Sequence, residues 1–534
     1  MWKLLNLLNI IFASSLALQT DKPCQLKEFT DGLVCVCTEN YCDTLNIPNV
    51  DNENEFILTT TSKLGQRFDI NSGEIFPFEQ NDGNLLINKT EINVHIDQME
   101  KFQEIIGFGG SFTGSVAYLF DKLPQKLRQC VYESYYGSEM GMNYSLIRLP
   151  IGGCDFDLEP WAYNEYPEND ANLSNYTAKH SKDARRFEIL KELLNFSQNS
   201  NIKILAATWS PPRWMKMNHS WDGKSDNQLK IEYYQTWADY HVKFLDIISE
   251  YDIPVWALST GNEPHFSPNV GFMAMHWTAS NHAKWIAENL GPTMKRSKYF
   301  HTQIHTYDDN RDFLLPWLHN MTTAASNAMD FVSGINVHGY FDKYRPADDL
   351  DTVVSQFPGK SILYTEMCFG AQVPISNVGP KLGYWGYTDR LVATILPNLL
   401  HNMNGYIDWN LILNHTGGPN YANNLVDAAI ITNENFTEIY KQPMFYIMAQ
   451  FSKFILPGSR RIAATTATTT STIDGMENET TVDVVSFLRP DGKIAVILYN
   501  KRPVTVNVNV IDKMKGIMRL KLKPQSLNTL IYSI

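Results

Sequence analysis

The chain has 534 residues, 44% apolar and 19% charged, the balance of a globular protein with a large core. Its formal charge of −12 argues against nucleic acid as a partner, because phosphate backbones are held by concentrated Lys and Arg. The length exceeds the roughly 250 residues of one α/β barrel and leaves room for a second domain.

Residues 1–19 read as an export signal. Lys3 gives a short positive start, residues 4–18 are mostly apolar but broken by Asn6 and Asn9, and Ser15-Leu16-Ala17 offers small residues for cleavage. No later stretch approaches the roughly 20 apolar residues of a transmembrane helix. Export agrees with Asn-x-Ser/Thr acceptors at Asn88, Asn143, Asn172, Asn175, Asn195, Asn218, Asn320, Asn414, Asn435 and Asn478.

Cys24, Cys35, Cys37 and Cys42 follow. Four thiols allow three pairings, of which Cys24 to Cys35 with Cys37 to Cys42 leaves both loops short. A zinc site competes, but no His lies among them and an exported chain favours oxidation. Cys130, Cys154 and Cys368 are then expected to be free, buried thiols.

The rest of 20–100 mixes β-rich pieces (56–61, 85–87, 92–96) with Gly and Asn turns, as short antiparallel strands do. From 101 to 428 the rhythm changes. Short apolar runs at 104–108, 144–150, 202–209, 254–260, 303–307, 334–338, 361–365 and 405–411 alternate with helical patterns, clearest at 234–251 and 186–196. Eight such strands predict a (β/α)₈ TIM barrel. Residues 429–534 are β-rich again, with alternation at 482–488, 493–499 and 504–510 and a Thr-rich stretch at 463–472 read as a surface loop. The two outer β segments are expected to form one sandwich beside the barrel.

In such a barrel the chemistry sits where strands end. The fourth predicted strand runs into Gly261-Asn262-Glu263-Pro264 and the seventh into Glu366-Met367-Cys368. Retaining glycoside hydrolysis needs two carboxyls about 5–5.5 Å apart, one holding a proton and the other ionised. Glu263 and Glu366 fit those places, and the Asn262 amide suits a sugar 2-hydroxyl. Trp209, Tyr340 and Trp409 stand at other strand ends, where flat rings stack on pyranose faces. Arg148, ending the second strand, is a partner that would hold Glu366 ionised. His338 reads equally as a hydrogen-bonded wall residue or a catalyst. Alone, a Trp or a Glu here would be an ordinary core ring or a solvated loop acid; the strand-end positions single these out. No metal cluster or nucleotide loop is visible, and no cofactor is expected.

The ordered motifs Phe108-Gly109-Gly110-Ser111-Phe112-Thr113, Arg148-Leu149-Pro150, Cys154-Asp155-Phe156, Trp209-Ser210-Pro211, Asn262-Glu263-Pro264, Thr365-Glu366-Met367-Cys368 and Asp408-Trp409-Asn410-Leu411 resemble those of the lysosomal glucosylceramidases (acid β-glucosidases) of glycoside hydrolase family 30. Gly417-Gly418-Pro419-Asn420 and Lys441-Gln442-Pro443-Met444-Phe445-Tyr446 extend the likeness over nearly all of the chain past the signal. The resemblance implies a barrel with a β-sandwich, proton donation by Glu263 and covalent attack by Glu366. It puts Trp209, Asn262 and Trp409 in a glucose subsite, with Asn424 near its entrance. The implied substrate is glucosylceramide at a membrane surface, cleaved with help from anionic lipid and a saposin-type activator, in lysosomes or after secretion. Three positions depart. The family is taken to carry a glucose-binding Asp where Gly114 stands, a Trp where Gly339 stands, and usually a Glu where Gly261 stands. Gly114 and Gly339 are therefore expected to leave gaps, which opens two other readings: a retaining glycosidase of altered sugar preference, or a weakly active glycolipid-binding paralogue.

Overall fold

The computed structural model describes residues 22–48, 50, 52–77, 91–177, 182–197, 199, 201–224, 226–370, 379–467, 471–473, 476–478 and 482–534. The predicted export signal, Asn88 and the predicted strand at 85–87 lie outside the described residues.

Eight parallel strands close a barrel: β1 (Gly107–Ser111), β2 (Leu146–Ile151), β3 (Lys203–Thr208), β4 (Ala257–Ser259), β5 (Gln303–Asn310), β6 (Gly334–His338), β7 (Ser361–Glu366) and β8 (Gly405–Asn410), with β8 pairing back onto β1. Every residue of β2 is buried, as expected for strands covered by side chains inside and helices outside. The helix Tyr234–Ser249 shows why these segments fold as they do. It turns Trp237, Tyr240, Phe244, Leu245 and Ile248 inward at helical spacing, where each large apolar side chain gains roughly 1.5–3 kcal/mol from leaving water.

The first predicted barrel strand is displaced. Residues up to 104 belong to the long strand Ile92–Glu104 of another sheet, and β1 starts only at Gly107. Gly107 has φ +147°, and a Cβ there would lie 2.0 Å from Ser145 Oγ, so only glycine permits the bend that carries the chain from one sheet into the other.

That second sheet has nine strands. From one edge it runs Gly516–Leu522, Val506–Asp512, Ile92–Glu104, Arg460–Ala467, Asp483–Leu488, Lys493–Asn500, Ser526–Ser533, Glu55–Ser62, Asp69–Glu74, so N- and C-terminal segments do share one β unit. Two details correct the sequence reading. Residues 430–441 are not in this sheet: Ile430–Thr432 and Ile439–Lys441 join the cysteine-bearing strand Gly32–Cys37 in a separate five-stranded sheet. The Thr-rich stretch starts as strand, with Thr465 opposite His95 and Thr466 opposite Val94. β-Branched Thr fits a pleated surface well, and composition alone hid that.

Cys24 is bonded to Cys35 and Cys37 to Cys42, so oxidation prevails over a zinc site. Of the three free cysteines only Cys154 is buried; Cys130 and Cys368 are half-buried. Among the described residues no helix is long and apolar enough to cross a membrane.

Candidate active site

The ends of β2 to β8 converge on one buried cluster of charge. Glu366 is the last residue of β7. Glu263 follows β4 in the left-handed region at φ +46°, a strained place for a side-chain-bearing residue. It is fixed there by its own N–H, which donates to Asp308 O at 2.9 Å, and by Asn262 N–H donating to Thr208 O at 2.8 Å. One carboxylate oxygen of each glutamate and one ring nitrogen of His338 lie within 4.8 Å of one another.

Arg148 is fully buried and organises one side of the cluster. One amino group donates to Glu366 Oε2, and the other donates to Asn262 Oδ1 at 2.7 Å and Asp308 Oδ2 at 3.0 Å. Its guanidinium also lies 4.8 Å from the Trp209 ring centre and 5.5 Å from that of Trp409. The planar fork is what makes this possible, since a lysine presents a single point charge.

Asp308 is the hub that sequence reasoning missed. It accepts from Arg148, from Ser259 Oγ at 2.6 Å and from Thr365 Oγ1 at 2.5 Å, and it faces His338 Nε2 at 3.3 Å. Burial pushes its carboxyl up, but Arg148, His338 and Ser259 outweigh that and hold it well below the usual carboxylate range. The other nitrogen of His338 lies 3.0 Å from Glu263 Oε1. Burial opposes charge on this ring, yet Glu366, Asp308 and Glu263 push its pKa up to about 10, so it is an imidazolium donating to both acids. His338 is thus a buried wall residue hydrogen-bonded to two acids. For Glu263 burial raises the carboxyl pKa and Glu366 adds to the effect, against the pull of His338. Burial thus favours the protonated form of Glu263, while Glu366 is held by the Arg148 guanidinium. That is the asymmetry a donor and a nucleophile require.

Tyr340, half-buried, donates from its hydroxyl to Glu366 Oε1 at 2.8 Å, so both oxygens of that carboxylate are engaged. Trp209 and Trp409 are buried and stack on each other, 5.5 Å between centres, as well as on Arg148. They form one aromatic wall rather than two separate platforms. Phe156 packs edge-on against Trp409 at 5.8 Å.

Asn424 Nδ2 donates to Asp155 Oδ2 at 3.1 Å. Burial, then Glu366 and Glu263, push Asp155 up to about 8, which places this acid within electrostatic reach of both glutamates. Its motif was visible in the sequence, but nothing in the spacing marked Asp155 as lying near Glu263 and Glu366.

The gaps expected at Gly114 and Gly339 are not there. A Cβ at Gly114 would lie 1.8 Å from Asp157 Oδ1, so a carboxylate already occupies that space. A Cβ at Gly339 would meet Met367 Sδ at 2.9 Å and Thr394 Cγ2 at 3.2 Å, so neighbouring side chains already stand against that position. Gly261 has φ +136°, a conformation that glycine alone adopts freely.

Glu263, His338 and Glu366 have the composition of a cation site. The Arg148 guanidinium, in contact with Glu366, already supplies positive charge at that corner.

The chain matches the Glycosyl hydrolase family 30 TIM-barrel domain over residues 105–455 and the Glycosyl hydrolase family 30 beta sandwich domain over 458–530. It is 31% identical over 517 residues to a lysosomal acid glucosylceramidase of Mus musculus, covering 96% of each chain. It is 28% identical over 438 residues to an endo-1,6-beta-D-glucanase of Aspergillus fumigatus, covering 77% of this chain and 81% of the other. Among solved structures, SrfJ from Salmonella typhimurium superposes with a TM-score of 0.76 at 24% identity, over 90% of this chain and all of that one, a likeness of fold.

Proposed function

Because the chain belongs to glycosyl hydrolase family 30, we propose that this glycoside hydrolase is a retaining β-glucosidase that splits glucosylceramide into glucose and ceramide. The observation that carries the reading is the close approach of two unlike carboxyls, Glu263 and Glu366, with oxygens within 4.8 Å. That separation suits direct attack by one carboxylate better than the wider gap needed to seat a water between them.

Glu366 attacks the anomeric carbon while Glu263 passes its proton to the departing glycosidic oxygen. The C–O bond to the aglycone breaks and a glycosyl–Glu366 ester forms. Glu263, now ionised, takes a proton from water; that water attacks the anomeric carbon and releases Glu366. Arg148 and Tyr340 hold both oxygens of the nucleophile, so its lone pairs are aimed before substrate arrives. Asp155 with Asn424 offers acceptors and a donor for sugar hydroxyls, and Asn262, oriented by Arg148, offers its amide to the 2-hydroxyl.

A lipid aglycone is supported by the outer surface of the same barrel face. Leu158, Tyr166, Met217, Ile231 and Tyr344 are each more than half exposed, on the loops that follow β2, β3 and β6. Apolar side chains exposed on the loops of that face suit contact with a membrane. Anionic lipid, a saposin-type activator and a lysosomal or secreted location belong to the same proposal, supported by the murine relative.

The test compares wild type, Glu366→Gln and Glu263→Gln on an aryl β-glucoside and on glucosylceramide near pH 5. Glu366→Gln should abolish both activities. Glu263→Gln should retain more rate on the aryl substrate, whose leaving group needs little protonation. Equal rates for wild type and Glu366→Gln would overturn the assignment. A second reading, cleavage of β-1,6-linked glucan, is favoured by the fungal relative. Higher kcat/KM on such oligosaccharides than on glucosylceramide would establish it instead.

A further inference from the structure

Asp157 takes no part in the chemistry described above, yet its carboxylate is buried and placed with care. Oδ2 accepts the Cys154 N–H at 2.9 Å, closing a short turn over residues 154–157. Oδ1 fills the position of a missing Cβ at Gly114, which opens the helix Gly114–Lys122. A negative group suits the start of a helix, where backbone N–H dipoles point at it. The main chain is tied as well. Ser115 N–H and Oγ donate to Phe156 O at 2.8 and 2.7 Å, and Tyr421 N–H donates to Asp157 O at 2.9 Å.

The turn so anchored carries Asp155, which meets Asn424, and Phe156, which braces Trp409. An acid set down between the helix start and the turn therefore governs where both point. The same place is reachable from the other side. The Cγ and Oδ2 of Asp157 lie 2.6 and 3.1 Å from a Cβ built at Gly114, so any side chain at 114 would press on the Asp157 carboxylate.

We propose that Asp157 is a positioning residue for the sugar-binding turn, and that positions 114 and 157 form a single carboxylate slot. The slot is filled here from 157, so a side chain at 114 must displace the Asp157 carboxylate. The inference rests on the reading above that Asp155 contacts sugar.

The experiment is a double-mutant cycle of Gly114→Asp, Asp157→Ser and the double variant, each measured for Tm and for kcat and KM on an aryl β-glucoside, and repeated in an Asp155→Ala background. Gly114→Asp alone should lower both Tm and kcat/KM, because two carboxylates cannot share the site. Asp157→Ser should lower kcat/KM about tenfold, mainly through KM, as expected when one charge-assisted hydrogen bond no longer fixes the turn. The double variant should return to within about threefold of wild type in kcat/KM and regain the Tm lost by Gly114→Asp, a coupling expected only for contacting sites. Asp157→Asn, which keeps an acceptor for Cys154 N–H, should retain part of the lost KM. With Asp155 removed, Asp157→Ser should cost clearly less than the roughly tenfold it costs in wild type, leaving only the effect that passes through Phe156 to Trp409. Losses that multiply in the double variant, or a wild-type KM for Asp157→Ser, overturn the proposal. The Tm arm needs no substrate. A chain that turns over no β-glucoside but shows the Tm rescue would refute the glucosidase reading and leave the slot standing.

Discussion

Arg148→Met tests the centre of the site. The wild-type guanidinium is fully buried and reaches Glu366, Asn262 and Asp308 at once. Methionine keeps most of the volume and removes all the charge, so Asp308 and Glu366 lose their cation while His338 stays. Breaking a buried ion pair in this way costs about 3–5 kcal/mol. Melting entropy is about 2.1 cal/mol/K per residue, or ~1 kcal/mol/K for a chain of this length, so Tm should fall by roughly 3–5 °C. The kinetic effect is separate. Glu366 loses a charge-assisted hydrogen bond worth about 1.5–3 kcal/mol to the aimed nucleophile, which is about 10–150-fold in kcat/KM. Arg148→Lys should fall between, because a point charge reaches one acceptor where the fork reaches three. The assays are thermal melting and aryl glucoside kinetics on purified variants. A methionine variant within threefold of wild-type kcat/KM would refute the idea that this guanidinium aims Glu366.

Stability should fall from pH 5 to pH 8. Burial, first among the causes, raises Asp155, Asp183, Asp342, Asp408 and Asp427 to about 8, 7, 6, 7 and 7, so the native chain keeps protons that the unfolded chain, with an ordinary 3.8, has lost. Such groups weaken the fold progressively as pH climbs from about 4 through their native values. His338, raised to about 10, acts in the same direction above its ordinary 6.5, while buried His241, His282 and His305, lowered to about 4, 3 and 4, oppose it below 6.5. A melting scan showing a higher Tm at pH 7.5 than at pH 5 would contradict the balance. Tyr340→Phe removes the donor to Glu366 Oε1 and a weaker contact to Cys368 Sγ, so kcat/KM should drop about tenfold with Tm little changed; unaltered kinetics would show that hydroxyl to be idle.

The barrel was legible because its strands are short apolar runs separated by helix-period segments, and each glutamate proposed as catalytic lies within three residues of the end of such a run. The pairing of Arg148 with Glu366 could be proposed from their strand ends. Asp308 was not singled out: it lies just past the predicted run 303–307, and its value comes from four partners on β2, β4, β6 and β7. Asp155 and Asn424 meet across 269 positions of sequence, a contact with no local signature. Gly114 and Gly339 were misjudged for a related reason. An absent side chain is visible in a sequence, but the neighbour that stands against its place, Asp157 or Met367, is visible only in three dimensions. The disulfides were within reach because short loops leave few choices.

The strand Ile92–Glu104 lies between Val506–Asp512 and Arg460–Ala467, neighbours made more than 350 residues later. At 5–20 residues per second a ribosome needs roughly 20–80 s to deliver them. Through that interval the strand must wait with both edges open, joined by two residues to the β1 strand that the barrel needs. The cell thus holds an unfinished sheet on the same stretch of chain as the first stave of the catalytic domain. Lesions in the outer sheet should accordingly be felt at the folding checkpoint, as fewer finished molecules, each turning over at its usual rate.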